Sequence, residues 1–304
     1  MSISSFARAD ILRLTLAAAC WGVGTVVSKR AVAEIPPLIL LPVQLAASLV
    51  VLSLLMRRRG MPFRGQAGPP LLGRLGILNP GLAYALSLLG LVSISASLSV
   101  LIWAFEPLMI VVLAALVLRE RIGRGLIGLS VVAVAGMMLV LYNPASVGQW
   151  AGVALTIAGV GCCAVYSVVA RRWIGTADST AQVVATQQVY ALLLALVLVV
   201  AWSFLAGGPV LRTVTPIAWL SAIGSGLLYY AAAYWFYLNG LRGVPASFAA
   251  VSFYLIPIFG LAASFALLGE RLQAVQWVGV AVVLAAVLAI AVRSAPIAPS
   301  EARA

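Results

Sequence analysis

Two stretches of this chain repeat each other. Residues 83–121 read AYALSLLGLVSISASLSVLIWAFEPLMIVVLAALVLRER, and residues 233–271 read AYWFYLNGLRGVPASFAAVSFYLIPIFGLAASFALLGER. At a constant shift of 150 residues and without a gap, 11 of the 39 aligned positions are identical. The apolar bias of the chain could match Leu with Leu, but it would not match Tyr, Gly, Pro, Glu and Arg in one register. The sequence therefore predicts two copies of one structural unit.

The composition indicates that lipid is the solvent of this protein. Of its 304 residues, 64% are hydrophobic and only 9% are charged, with a mean hydropathy of +1.14. The net charge of +12 comes from Arg residues in short loops between apolar runs, which argues against a nucleic-acid surface. There is no His, and Cys20, Cys162 and Cys163 lie within apolar runs. We therefore expect no metal site, and we interpret the cysteines as small buried residues.

Ten apolar runs have the length of a membrane span, which is about 20 helical residues for a hydrocarbon core of about 30 Å. Turn-forming residues, such as Asn143-Pro144 and Gly207-Gly208-Pro209, separate them. The ten predicted spans are Ile11–Ala33, Pro37–Met56, Leu71–Gly90, Ser95–Leu118, Gly123–Tyr142, Trp150–Trp173, Thr180–Leu205, Pro216–Asn239, Pro245–Leu268 and Ala274–Val292.

The distribution of basic residues predicts the orientation. With the N-terminus in the cytoplasm, 15 basic residues lie at inner span ends and four at outer ends. Both termini are therefore expected in the cytoplasm and the chain in the cell (inner) membrane. Five spans per copy is an odd number, so the second copy enters the membrane from the opposite side. We predict an all-α integral membrane protein with two inverted five-helix repeats, residues 1–143 and 144–304, an organisation that frames a midplane site in many transporters.

The repeated motifs resemble a known family. They are Trp21-Gly22 with Ser28-Lys29-Arg30 in span 1, Glu106-Pro107 to Glu120-Arg121 in span 4, and Ile256-Pro257 to Glu270-Arg271 in span 9. Together with ten spans in two halves, this pattern is similar to the drug/metabolite transporter superfamily, and more narrowly to its EamA-type members. Within them, the aromatic residues are similar to those of the YddG-type amino-acid exporters.

The resemblance implies an arrangement and an activity. Spans 3, 4, 8 and 9, with 1 and 6, would surround a central cavity, while spans 5 and 10 would be peripheral. The implied activity is secondary transport, most often export, of a small molecule without a cofactor. Glu120 and Glu270, each beside an Arg at a span end, are interpreted as interfacial ion pairs.

Glu106 is the only carboxylate in the middle of a predicted span. A charge at that depth costs about 3 kcal/mol on insertion scales, so it should face a cavity or a partner. Three roles remain open from the sequence. Glu106 could bind the ammonium of a substrate, carry a coupling proton, or form a structural hydrogen bond between helices.

Aromatic and polar residues at mid-span complete the candidate site. Ser99, Trp103 and Glu106 share one helical face because their spacings are four and three residues. Packing inside the bundle is the alternative interpretation of the aromatic residues. Pro107 and Pro257 interrupt their helices, as a hinge or as a static kink. The candidate substrate-binding residues are Asn79, Tyr84, Ser99, Trp103, Glu106, Tyr230, Tyr234 and Tyr254.

These features favour a secondary transporter over other classes. The chain has no Gly-Lys-Ser/Thr phosphate loop for ATP, and it lacks the nucleophile, metal cluster or paired carboxylates of an enzyme. Every Arg lies at or near a span end, which disfavours a multiply anionic substrate. We expect a neutral or zwitterionic metabolite, with amino acids first and protons as a possible coupling ion. A cationic drug exporter and an uncoupled facilitator are the alternatives.

Overall fold

The structure, a computed structural model, describes residues 8–58, 60, 69–118, 124–141, 149–170, 179–206, 213–240 and 252–294. Every regular element in these ranges is a helix. Six of the described helices are long and apolar enough to cross a membrane, and four further apolar helices are shorter. The predicted count of ten spans and their inverted arrangement remain predictions. Both termini lie outside the described residues, so their predicted cytoplasmic location also remains a prediction.

We number the helices in the order of the chain. Helix α4 has two segments, which are separated by a turn. The helices are α1 (Arg8–Val32), α2 (Pro37–Arg58), α3 (Pro70–Leu91), α4 (Ala96–Trp103 and Glu106–Leu118), α5 (Arg124–Leu141), α6 (Gln149–Ala170), α7 (Thr180–Ala206), α8 (Pro216–Gly240), α9 (Ile256–Leu268) and α10 (Ala274–Ser294).

Helices α4 and α9 are interrupted at equivalent positions. Within the predicted span Ser95–Leu118, α4 ends at Trp103 and resumes at Glu106 after a turn, as expected of a helix that Pro107 interrupts. Pro107 has no N–H to donate to the carbonyl of Trp103, four residues earlier, and this explains where the break lies. Likewise, α9 begins at Ile256 after the tight helical turn Phe253–Leu255, and Pro257 is one of its first residues.

Helices α3 and α8 also deviate at equivalent positions. Each contains a wide helical turn, over Leu78–Leu82 in α3 and Leu227–Ala232 in α8, immediately before the repeated Ala-Tyr pair. In α3 the distortion centres on Asn79, whose φ of −140° and ψ of 120° are not helical. The repeat in sequence is therefore accompanied by a repeat of helix irregularities, and such wide turns are frequent at functional sites.

The helix contacts are matched between the two halves. α3 packs on α6 as α8 packs on α1, and α4 packs on α6 as α9 packs on α1. Exchanging equivalent helices between the halves reproduces these contacts, as a two-fold relation predicts. α5 packs mainly against α10, and its buried side chains also join a core cluster with α4. Large apolar side chains such as Phe204, which is 86% exposed, cover the outside of the bundle where lipid would contact it.

Two charged residues hold helix ends together at one end of the bundle, which we call the Lys29 end. The Lys29 ammonium donates to the carbonyls of Leu91 and Val92, at 2.8 and 3.2 Å. The carboxylate of Glu34, after α1, accepts hydrogen bonds from the amide and hydroxyl of Thr215, which caps α8. These contacts bring the ends of α1, α3 and α8 together. The orientation predicted from the basic residues puts this end outside the cell.

The predicted ion pair between Glu270 and Arg271 is wrong. The Glu270 carboxylate accepts from the amides of Ala96 and Ser97, at 2.8 and 2.9 Å, and from the Ser97 hydroxyl at 2.5 Å. It therefore satisfies N–H groups at the start of α4 and lies at the positive end of that helix dipole. The Arg271 guanidinium instead lies 3.6 Å from the ring centre of Phe265. Glu120 lies outside the described residues.

Glu270→Gln is expected to lower the free energy of unfolding by about 1.5–3 kcal/mol, the contribution of hydrogen bonds to a charged group. The amide keeps one acceptor oxygen but turns its NH2 group toward N–H donors. Thermal unfolding of the purified protein in detergent measures this loss. Ser97→Ala is the matched control, because it removes one bond and leaves both backbone bonds, and it should cost less. Equal stability of Glu270→Gln and the unsubstituted protein would contradict the capping role.

Candidate functional site

A cavity of about 360 Å³ lies between α1, α3, α4, α6, α8 and α9. Among the described residues, α2, α5, α7 and α10 contribute none of its lining. This is the set of helices that the resemblance implied. The lining side chains are Trp21, Thr25, Asn79, Tyr84, Val100, Trp103, Ala104, Glu106, Pro107, Ile110, Cys163, Tyr166, Ser167, Tyr229, Tyr234, Tyr237, Phe253, Tyr254, Ile256 and Pro257.

One wall of the cavity is polar. Cys163 Sγ donates a hydrogen bond to Glu106 Oε1 at 3.0 Å, and joins α6 to the second segment of α4. The nearby Tyr166 hydroxyl donates to Gln187 Oε1 at 3.0 Å. Asn79 Oδ1 is buried and has no hydrogen-bond partner among the described residues. The Glu106 carboxylate and the Asn79 amide oxygen are therefore both available to accept from a ligand that carries N–H groups.

A second wall of the cavity is aromatic. The Trp21 ring lies 5.5 Å from Tyr234, 5.7 Å from Tyr237 and 5.2 Å from Phe253, measured between ring centroids. Ile256 packs against the same cluster. Rings at these distances form an apolar surface whose faces also attract cations.

The two walls occupy equivalent positions in the two halves. At the shift of 150 residues Ile256 corresponds to Glu106, and at the shift of 142 residues that relates α1 to α6, Trp21 corresponds to Cys163. In one half, the pair is a carboxylate and a thiol joined by a hydrogen bond. In the other half, the pair is an aliphatic side chain packed on an indole. The equivalent positions of the two halves therefore carry different chemistry, polar in one half and apolar in the other.

Stacked rings close one side of the cavity. Tyr84 and Trp103 lie parallel within 15° at 5.3 Å, and Tyr229 and Tyr230 meet Tyr84 edge-on at 5.1 and 5.3 Å. Beyond these rings lies a second, smaller compartment of about 20 Å³, lined by hydroxyl and amide side chains as well as by the rings themselves. The smaller compartment also contacts Leu88 and Leu91, so it lies toward the Lys29 end of α3.

Most of the sequence-predicted residues lie together. Asn79, Tyr84, Trp103, Glu106, Tyr234 and Tyr254 line the cavity, and so do the predicted hinge residues Pro107 and Pro257. Ser99 and Tyr230 do not line it, and both face the smaller compartment. Whether these residues bind a ligand remains a prediction. Among the described residues, no group of three or more His, Cys, Asp or Glu is arranged to hold a metal.

Cys163 also lines the cavity, although its place in an apolar run had indicated only a small buried residue. A signal for its position existed, because Gly159, Cys163, Tyr166 and Ser167 follow helical spacings of four, three and one and so share one face of α6. Trp21 and Tyr237 were missed as well, because a mid-span aromatic residue does not reveal from sequence whether it faces lipid or a cavity.

Comparisons with known proteins agree with the fold. The model of the EamA-like transporter family matches residues 9–142 and again residues 147–292. No match was found among curated proteins. One solved structure, described only as "Crystal structure of protein", superimposes with a TM-score of 0.66 at 18% sequence identity. The match covers 94% of this chain and 97% of the other, and at this identity it supports the fold alone.

Proposed function

Because this chain belongs to the EamA-like transporter family and is a multi-pass membrane protein, we propose that it is a secondary transporter of small neutral or zwitterionic metabolites. Amino acids are the first candidates. The proposed mechanism is alternating access, in which the two halves expose the central cavity to each side of the membrane in turn. Export is the direction that we propose, by analogy with the family members that the sequence resembles.

The observation that carries this proposal is the chemistry of the two cavity walls. Among the lining side chains, Glu106 and Asn79 offer acceptor oxygens, and Trp21, Phe253 and Ile256 form an apolar surface. No Lys or Arg is among the lining residues that the structure describes. A sugar nucleotide or phosphate would need such a cation, whereas an amino acid with an apolar side chain fits both walls.

In the proposed binding pose the substrate ammonium contacts Glu106. The Cys163 thiol now occupies one carboxylate oxygen, and a thiol is a weak donor that an ammonium group would readily displace. The apolar side chain would then lie against the rings of the aromatic wall. Proton coupling through Glu106 is the accompanying hypothesis, since it is the only carboxylate that lines the described cavity.

Uptake into proteoliposomes tests the substrate class. A panel of labelled amino acids is offered, with a nucleotide sugar and a cationic dye as competitors. Saturable uptake of aliphatic or aromatic amino acids is the expected result. Transport of the dye without any amino acid would instead favour the alternative of a multidrug exporter, because the aromatic wall and Glu106 also suit a lipophilic cation. Uptake that no pH gradient drives would favour an uncoupled facilitator.

Pro107→Ala and Pro257→Ala test the hinge. Each substitution restores an N–H that can complete the helix ladder across the breaks in α4 and α9. If bending at these breaks opens and closes the cavity, turnover should fall by about tenfold while substrate affinity changes little, since conformational steps often limit turnover in transporters as in enzymes. Transport rate and equilibrium binding are measured on the same preparations. Unchanged turnover in both variants would leave only a static kink.

A further inference from the structure

The smaller compartment beyond the stacked rings contains unpaired oxygen atoms. Gln44, on α2, is 1% exposed and donates both amide hydrogens, to Ser28 Oγ at 2.9 Å and to Ser225 Oγ at 2.7 Å. Its carbonyl oxygen Oε1 has no partner among the described residues. Ser87, on α3, is 7% exposed, and its hydroxyl also has no partner there. Both side chains line the compartment.

Leaving such groups unpaired is costly, at about 1–3 kcal/mol each. Gln44 Oε1 can only accept, since both hydrogens of its amide are already donated. The group that would satisfy it must therefore be a donor, which excludes an ionised carboxylate. The compartment of about 20 Å³ is large enough for a group the size of one water molecule or one ammonium, but not for an amino-acid side chain.

The rings around the compartment add a preference for positive charge. Tyr84, Trp103, Tyr229 and Tyr230 all line it. Aromatic faces attract organic cations by about 0.5–2 kcal/mol, and the attraction is strongest where water is excluded. A primary ammonium combines the N–H donors that the unpaired oxygens require with the charge that the rings favour.

We propose that this compartment is a second binding site for a primary ammonium group, seated between Gln44 Oε1 and Ser87 Oγ. The site deepens the proposed function and rests on it. A substrate bound in the central cavity reaches the compartment when the Tyr84–Trp103 pair separates, and its ammonium group then exchanges Glu106 for these neutral oxygens. Ser99, Trp103 and Glu106 mark this route, because Glu106 lines the cavity, Ser99 lines the compartment and Trp103 lines both.

The test uses methylammonium, the smallest organic ammonium, with the full-length protein purified in detergent. Its effect on the thermal unfolding midpoint is titrated at constant ionic strength against tetramethylammonium, which carries no N–H. A ligand that binds the folded state raises this midpoint in proportion to its occupancy. We expect methylammonium to stabilise the protein, and Ser87→Ala to weaken its Kd by about tenfold, which corresponds to about 1.4 kcal/mol.

Ser264→Ala is the matched control. Ser264, on α9, is fully buried and its hydroxyl also has no partner among the described residues, but it lines neither the cavity nor the compartment. Both variants remove an unpaired hydroxyl, so both should fold at least as stably as the unsubstituted protein. Only Ser87→Ala should lose methylammonium affinity. Equal Kd values in the two variants, or no stabilisation by methylammonium at all, would overturn the proposal.

A Glu106→Gln background separates this site from the central one. If the compartment binds ammonium, Ser87→Ala still weakens the remaining methylammonium binding in that background. If Glu106→Gln abolishes all binding, the second site does not exist. The result does not depend on amino-acid transport. A protein that binds methylammonium at Ser87 but transports no amino acid would contradict the proposed substrate and leave the ammonium site in place.

Discussion

Glu106→Gln is expected to reduce amino-acid transport into proteoliposomes by about 100-fold or more. Removing one partner of a buried charge pair costs about 3–5 kcal/mol, and each 1.4 kcal/mol is a factor of ten. Glutamine preserves the shape of the side chain and one acceptor oxygen, so the cavity and its hydrogen bond with Cys163 can remain. The loss therefore reports the charge itself. Initial rates at saturating and at limiting substrate separate weakened binding from slower turnover.

Cys163→Ala is the control for this prediction, since it removes the one partner that the structure assigns to the Glu106 carboxylate and leaves the charge in place. It should change transport much less than Glu106→Gln does. The same pair tests proton coupling, because the dependence of transport on pH should disappear in Glu106→Gln and persist in Cys163→Ala. Full and still pH-dependent transport by Glu106→Gln would contradict both roles and leave Glu106 with a structural hydrogen bond only.

Gly22→Val is expected to destabilise the folded protein by about 3 kcal/mol, near the upper end for overpacked sites. A Cβ at residue 22 would lie 2.6 Å from the carbonyl oxygen of Ile256 and 2.7 Å from the amide nitrogen of Gly260. Both atoms are backbone and cannot rotate away. α1 and α9 would have to separate at the point where α9 begins after its break. A reduced yield of monodisperse protein and a lower unfolding midpoint in detergent would report this.

Gly161→Val is the matched control, because Gly161 lies within α6 and a Cβ there meets no atom of the described structure within 4 Å. It should fold with nearly unchanged stability. If Gly22→Val were as stable as Gly161→Val, the close approach of α1 and α9 would be wrong. Small residues in general permit membrane helices to approach closely. Comparing Gly22→Val with Gly161→Val separates the effect of the contact between α1 and α9 from the general effect of placing a β-branched residue in a helix.

The sequence predicted the helical class and the family because both depend on composition and on a repeat that one chain displays. Six of the eight candidate residues selected from the sequence line one cavity. Glu106 could be selected in this way because a charged side chain in the middle of a span is costly in lipid. The breaks in α4 and α9 were predicted from Pro107 and Pro257. Each break lies in the turn that precedes its proline. A proline acts on the carbonyl four residues before it.

Contacts between distant residues could not be predicted in this way. Glu270 binds the amide of Ala96 from 174 residues away, and a Glu followed by an Arg at a span end suggested a local ion pair instead. Ser99 and Tyr230 line the smaller compartment and not the cavity. The sequence could not separate the two spaces, because the Tyr84–Trp103 stack between them is a tertiary contact. Cys163 was missed because a Cys within an apolar run is ordinarily a small buried residue, and its helical spacing with Tyr166 was not used.

The correspondence between the polar and the aromatic wall has an evolutionary consequence. Duplication of one ancestral unit would start from identical walls, so the present difference between Glu106 and Ile256, and between Cys163 and Trp21, arose afterwards by independent change of each copy. Each wall can therefore drift without the other, and without altering the glycine and proline positions that set the helix crossings. A substitution at one lining position of one copy would therefore change the chemistry of one wall and leave its counterpart in the other copy unchanged.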